Sequence, residues 1–530
     1  MDVIMTKTSV LFPAMTSAVA LSGARTPASE TENKYRNTRT RQIRLRERSR
    51  FSNMAQPAER AYYRFLLLIF NCLPGFASYF CYTIPSVLQD KFQGNITCFN
   101  STVTNGTADC VKGLGMTPEQ FNLLFATYAW INAVVVILAG FFTDKLGNCI
   151  GVILFYFIIM LGSATFALGS HFKGTSYLLP LMIIGRFLVG STSGSFYLVQ
   201  DCIFAFWFKD KELSLAFGLK VAFSRLGSVF SFLFIQSFES RFGLQWTLWA
   251  GTLLCVLGFV SAIIVGILDR SGAKQLGLDV VHQQESKNVR LKDICHLSLH
   301  YWLLVLTIMF FYNGFFPFIA DVTHLFFSKF IQDKYSRYSN QEASYIAGAV
   351  FDTSLLLLPI AGILIDYIGL RGILISICAG LTVPVFALLA FTFVPPVVSM
   401  IWLGVTYSFA VASLWPSLIL VVPSANLGTA LGITTSVQMI GVGVCNLIVG
   451  RILGTKFSDP KIPVWRWQWM LIFMLANTIC CFITSVILNI VDTRQGNTLN
   501  KTTKQLETTK EENQTASETS PLLTDRDNDN

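Results

Sequence analysis

Gly140-Phe141-Phe142-Thr143-Asp144-Lys145-Leu146-Gly147 and Gly362-Ile363-Leu364-Ile365-Asp366-Tyr367-Ile368-Gly369-Leu370-Arg371 are two copies of one pattern, set far apart in the chain. Each has a glycine, an aspartate four residues later and a second glycine three residues after that. Each also closes a long apolar stretch. The first glycine of such a pattern lets a neighbouring helix approach closely. The aspartate ends a helix where its carboxylate can accept hydrogen bonds and meet a cation from a moving helix, and the last glycine makes the short turn. Gly140, Asp144, Gly147, Gly362, Asp366 and Gly369 are therefore candidates for conformational control rather than for ligand binding.

A second pair of matches is independent of the first. Leu213-Ser214-Leu215-Ala216-Phe217-Gly218-Leu219 aligns with Leu427-Gly428-Thr429-Ala430-Leu431-Gly432-Ile433, and Gly227 with Gly441. Around these repeats the composition is that of a membrane protein: of 530 residues, 52% are hydrophobic and only 13% charged, against about 25% charged in soluble domains. Six apolar spans fall within residues 65–268 and six within 301–491. Each is long enough for the roughly 20 residues a spanning helix needs, whereas barrel strands would be about ten residues long and alternate in polarity. Two parallel halves of six helices are the signature of the major facilitator fold.

The net charge of +9 is distributed asymmetrically. Arg36, Arg39, Arg41, Arg44, Arg46, Arg48 and Arg50 precede the first span, and Lys145, Lys209, Lys211, Lys287, Arg290, Lys292 and Arg371 fall in loops of the same expected side. That bias predicts a cytosolic N-terminus, and twelve spans return the C-terminus to the cytosol. A nucleic-acid-binding arm is the rival reading of the arginine run, and a transit peptide that of residues 1–57; neither is preferred. Residues 1–64 read as a disordered basic cytosolic tail and 269–300 as a cytosolic connector. The segment 492–530 reads as a polar, disordered tail.

The loop after the first span carries three glycosylation sequons, at Asn95, Asn100 and Asn105, beside Cys98 and Cys110. A lumenal, oxidised, sugar-coated loop is expected, with the cysteines as a disulfide or as two free thiols. In the far tail, Glu518-Thr519-Ser520-Pro521-Leu522-Leu523 places an acid four residues before a leucine pair. It resembles the acidic dileucine signal read by clathrin adaptors.

Charges inside spans are costly and usually face a cavity or another charge. Arg186, Lys220, Arg225 and Asp352 are the ones well away from helix ends, with Asp201 nearer an end. Arg225 could hold a substrate carboxylate with paired guanidinium donors, or form an inter-helix ion pair. Arg186 reads as a structural or gating contact. Asp352 could bind an amine, pair with Arg225 or Lys220, or carry a coupling proton. Lys220 faces the cavity or snorkels. Asn71, Pro74, Gly75, Ser78, Tyr79 and Tyr82 loosen the first span, and Tyr312, Asn313, Gly314 and Pro317 the seventh. Interrupted helices at matching places in two halves point to a midplane binding site, so Tyr79 and Asn313 join the candidate substrate-binding set. No metal-ligand spacing, phosphate-cradling loop or nucleophile motif occurs, so neither a cofactor nor an enzyme is expected.

Finer runs resemble one family. They are Gly75-Phe76-Ala77-Ser78-Tyr79-Phe80-Cys81-Tyr82, Trp207-Phe208-Lys209-Asp210-Lys211-Glu212-Leu213, Arg225-Leu226-Gly227-Ser228, Phe316-Pro317-Phe318-Ile319, Leu414-Trp415-Pro416 and Val422-Pro423. Over nearly all of residues 65–495 the chain resembles the major facilitator superfamily domain-containing protein 1 family. The resemblance implies a lysosomal uniporter exporting dipeptides to the cytosol, with an accessory lysosomal glycoprotein as partner. It also implies a role for Arg225, which matches the family's fifth-span arginine. The family's fourth-span glutamate is unmatched: Gly194 stands there. Two other functions compete: a proton-coupled carrier of an organic anion or amino acid working through Asp352, and a non-transporting sensor or scaffold with the same fold.

Overall fold

The computed structural model describes residues 60–94, 113–209, 211–276, 297–319, 330–335, 337–454, 462–502 and 505. Asn95, Asn100, Asn105, Cys98 and Cys110 lie outside the described residues, as do Glu518, Leu522 and Leu523 and most of the tail and connector segments.

Among the described residues, six long helices make the first half. They are α1 (Ala61–Val87), α2 (Pro118–Leu146), α3 (Asn148–Gly169), α4 (Leu178–Phe208), α5 (Leu213–Phe242) and α6 (Leu244–Gln275). Six more make the second: α7 (Leu299–Ile319), α8 (Asn340–Ile368), α9 (Arg371–Phe391), α10 (Pro396–Val421), α11 (Leu427–Leu453) and α12 (Val464–Arg494). Eleven of the twelve are long and apolar enough to cross a membrane. The other, α7, has 21 residues, which at 1.5 Å each reaches about 31 Å. Large apolar side chains cover the outside, Leu253, Leu257 and Leu356 among them. In water this surface would drive aggregation; in lipid it needs no cover.

The two halves start their second helices alike. Thr117 caps α2 in a capping box with Gln120, and Ser339 caps α8 in one with Glu342. Each box satisfies N–H groups that the first turn of a helix leaves without partners. The aligned glycines Gly227 and Gly441 also occupy equivalent crossings. A side-chain carbon at Gly227 would stand 2.3 Å from the Phe76 carbonyl of α1, and one at Gly441 2.8 Å from Asn313 Oδ1 of α7. Within the first half α3 packs on α4 and α6, and α1 on α5 and α6; within the second α8 packs on α10, and α12 on α7 and α9. The halves meet chiefly through α2 against α11 and α5 against α8.

Two expectations change. The loosening residues of α1 and α7 do not interrupt them: α1 runs unbroken past Pro74 and Pro85, and α7 is continuous over Leu299–Ile319. Proline removes one intrahelical bond and strands the carbonyl four residues earlier. Here that carbonyl, Phe70, accepts a 2.8 Å bond from Ser261 Oγ of α6, so a neighbouring helix repairs the ladder. The C-terminal boundary moves as well. The helix α12 continues to Arg494, and residues 495–502 fold back onto the bundle with Leu499 fully buried, where the tail was expected to be disordered from residue 492.

Candidate functional site

At one end of the bundle the repeated aspartates do the same job on opposite sides. Asp144, at the end of α2, accepts the Gly428 N–H (2.7 Å), the Thr429 N–H (2.7 Å) and the Thr429 hydroxyl (2.5 Å) at the start of α11. Asp366, at the end of α8, accepts the Ser214 N–H (2.9 Å) and the Leu215 N–H (2.8 Å) at the start of α5. Each carboxylate thus caps a helix of the other half, meeting donors the helix cannot satisfy internally and the positive end of its dipole. Asp366 also takes a 3.0 Å bond from Arg371.

Glycine permits both contacts. A side-chain carbon at Gly140 would lie 2.4 Å from the Gly428 carbonyl, and one at Gly362 2.6 Å from the Ser214 carbonyl. Beyond them, Gly147 and Gly369 turn the chain with φ of +85° and +72°, a region that suits glycine. Gly140→Ala is therefore expected to hold α2 and α11 apart at this end. Spin labels on the tips of the two helices should report a longer, broader distance distribution; an unchanged one would mean that the glycine contact does not set closure.

Midway along the bundle, Arg225 of α5 is buried, at 7% exposure. Its guanidinium stands 5.9 Å from the Tyr79 ring of α1 and 4.4 Å from the Phe351 ring of α8. One cation therefore touches both halves, and desolvated cation–π contacts of this kind are worth about 2 kcal/mol. In the second half, the Tyr312 hydroxyl of α7 accepts a 3.0 Å bond from Trp415 Nε1 of α10. Tyr79 lies 5.6 Å from Tyr197 of α4, ring to ring.

The remaining candidates fall elsewhere. Lys220 does not reach toward Arg225's surroundings as a free cation but forms a buried ion pair with Asp201 of α4, beside the Tyr197 and Phe217 rings. Asp352 joins neither Lys220 nor Arg225. It is exposed, seven residues after Tyr345 and four before Leu356, on the α8 stripe that also carries the exposed Ile360 and Ile363. The α8 ring beneath Arg225 belongs to its neighbour, Phe351. Asn313 is buried between α7 and α11 against Gly441, with no hydrogen-bond partner for Oδ1 among the described residues. Arg186 sits among Phe166 (4.8 Å), Phe125 (5.1 Å) and Tyr82 (5.7 Å), its Nε and Nη2 without hydrogen-bond partners there. At Gly194 the space of a side chain is already filled: Asn132 Oδ1 of α2 lies 2.0 Å from where a Cβ would stand.

Phe351 and Asn132 escaped the sequence reading. An aromatic or a single amide in an apolar helix looks the same whether it faces lipid, a neighbour or a cavity, and only the packing separates those cases.

Two equivalent sextets of membrane helices, tied together at one end by reciprocal helix caps and joined in the middle by a shared cation, have the architecture of a solute carrier. The chain belongs to the Major Facilitator Superfamily, whose family model matches residues 65–336 and 303–526. It is a transporter of that superfamily and not an enzyme. It is 31% identical over 469 residues to the lysosomal dipeptide transporter MFSD1 of Bos taurus, covering 86% of this chain and 91% of the relative. To the Homo sapiens protein of that name it is 30% identical over 462 residues, 84% and 90% of the two chains. Among solved structures it is similar to a bacterial homologue of the iron transporter ferroportin in an outward-facing state (TM-score 0.61, 12% identity, 80% of this chain and 99% of that one). The human organic anion transporter MFSD10 aligns with a TM-score of 0.57 at 13% identity, over 80% of this chain and 99% of that one. At such identities these two speak for the fold alone.

Proposed function

We propose that the chain is a uniporter of the lysosomal membrane that moves dipeptides, or closely similar zwitterions, from lumen to cytosol by alternating access. The observation that carries this reading is Arg225, a buried guanidinium in contact with Tyr79 of one half and Phe351 of the other. A carboxylate bound there would bridge both halves, so its binding energy would be available to drive their rearrangement. The MFSD1 relatives, named as lysosomal dipeptide transporters, support the substrate class and compartment.

In this reading both termini and the Asp144–Asp366 gate are cytosolic, so the described state is closed to the cytosol. The loop with Asn95, Asn100 and Asn105 is lumenal and glycosylated, and Cys98 pairs with Cys110. An accessory lysosomal glycoprotein is a lumenal partner, and clathrin adaptors read Glu518, Leu522 and Leu523.

Purified protein in liposomes should show saturable dipeptide uptake that is accelerated by dipeptide inside and indifferent to a pH gradient. Uptake equal to that of empty vesicles across a dipeptide panel would overturn the reading. A second reading, a carrier of organic anions, is favoured by one observation. Asn132, a neutral amide, fills the space at Gly194, where the resembled family has the carboxylate suited to a substrate ammonium. Uptake of anions that lack an amine, in preference to dipeptides, would establish it.

A further inference from the structure

The chain beyond α12 turns at Gly496 (φ +107°) and Asn497 (φ +56°) and returns to the bundle. Leu499 is fully buried, and its N–H lies 3.2 Å from both carboxylate oxygens of Asp492. Asn500 is buried too, its amide nitrogen within 3.2–3.3 Å of Asn489 Oδ1, Asn497 Oδ1 and Asp492 Oδ2. His300, in the first turn of α7, places Nε2 3.6 Å from Asp492 Oδ1. The polar segment 495–502 is thus held at many points.

What this segment holds is the start of α9. The Leu499 carbonyl accepts the Arg371 N–H at 3.1 Å, and Asn500 Oδ1 accepts the Ile373 N–H at 3.1 Å. Both N–H groups belong to a first helical turn, which has no partners of its own. The local residue cannot help: Leu370 offers no side-chain cap and sits at φ +52°, in the left-handed region. A non-glycine residue persists there only when its surroundings enforce it, and residues 499–502 are those surroundings. A side-chain carbon on neighbouring Gly369 would already stand 3.0 Å from the Lys501 carbonyl.

Arg371 in turn belongs to the gate. Its guanidinium donates to Asp366 (3.0 Å) and to Ser214 Oγ (3.4 Å) at the start of α5. The first half has no equivalent: Cys149 occupies the position two residues after Gly147 that Arg371 occupies after Gly369.

We propose that residues 495–502 form a latch on the gate. Asn500 is its main positioning residue, holding the start of α9 so that Arg371 keeps Asp366 on the N-terminus of α5. Release of the latch would weaken the α5–α8 side of the gate and leave the α2–α11 side to Asp144 alone. The role in transport rests on the carrier reading above, whereas the latch itself can be tested without any substrate.

The test is amide hydrogen exchange on the purified full-length chain, read at residues 213–219, 427–433 and 150–160. In Asn500→Ala, exchange at 213–219 should rise about tenfold, the loss expected for one hydrogen-bonded link, with 427–433 and 150–160 unchanged. Should Asn500→Ala not fold, Asn500→Leu, which keeps the volume but loses both the Ile373 acceptor and the amide donors, gives the same reading. Unchanged exchange at 213–219 would overturn the latch. So would an equal rise in all three segments, which marks general loosening.

Discussion

Arg225→Ala is expected to slow uptake into vesicles about thirtyfold, because a charge-assisted hydrogen bond to a carboxylate contributes roughly 1.5–3 kcal/mol. The effect should appear in the maximal rate as well as in the apparent affinity. Arg225 meets Tyr79 of the first half and Phe351 of the second, so its loss removes a contact from the rearrangement and not only from the bound state. Arg225→Lys keeps the charge but loses the paired, planar donors, and should recover only part of the rate. Concentration dependence measured at matched protein content separates the two effects. Uptake by Arg225→Ala indistinguishable from that of the unaltered chain would remove this residue from the site.

The second large effect belongs to the reciprocal caps made by Asp144 and Asp366. Asp144→Ala and Asp366→Ala each strand two helix N-terminal donors, with an expected cost of about 2–4 kcal/mol to the closed arrangement. A shift of that size changes the ratio of closed to open forms by about thirtyfold or more. Asp366→Ala should be the more damaging, since it also leaves Arg371, only 2% exposed, without its carboxylate. Removing one partner of a buried ion pair costs more than the pair contributes. In a double-mutant cycle, Arg371→Ala should therefore add little to Asp366→Ala. Labelling of cysteines introduced in the α5 and α11 N-terminal turns measures the opening; equal labelling of all variants would contradict the capping role.

The division into halves and the helix-end positions of Asp144 and Asp366 were readable because helix patterns are local. Glycine and aspartate at fixed spacing mark a helix end wherever they occur, and a run of some 20 apolar residues marks a span. The partners of the charged residues within the spans were less legible. Lys220 and Asp352 both looked like charges facing a substrate, yet one is neutralised by Asp201 and the other stands on the exposed stripe of α8. Asp201 lies 19 residues before its partner, and no periodicity links an acid on one helix to a base on the next. The proline-loosened α1 likewise looked broken, because Ser261, which restores its bonding, is distant in the chain.

Sequence alone therefore determined the number of halves and the ends of the helices that carry Asp144 and Asp366, both written in composition and short-range spacing, while longer runs of residues carried the family resemblance. The tertiary structure alone decided which charge meets which partner. It placed Asp144 on α11 and Asp366 on α5, put Arg225 between the halves, filled the space at Gly194 with Asn132, and folded residues 495–502 back onto α9. The physical reason lies in the lipid. Where the surroundings are as apolar as the interior, hydrophobicity cannot mark which face of a helix turns inward. Close packing, helix caps and buried ion pairs set that choice, and they join residues far apart in the chain.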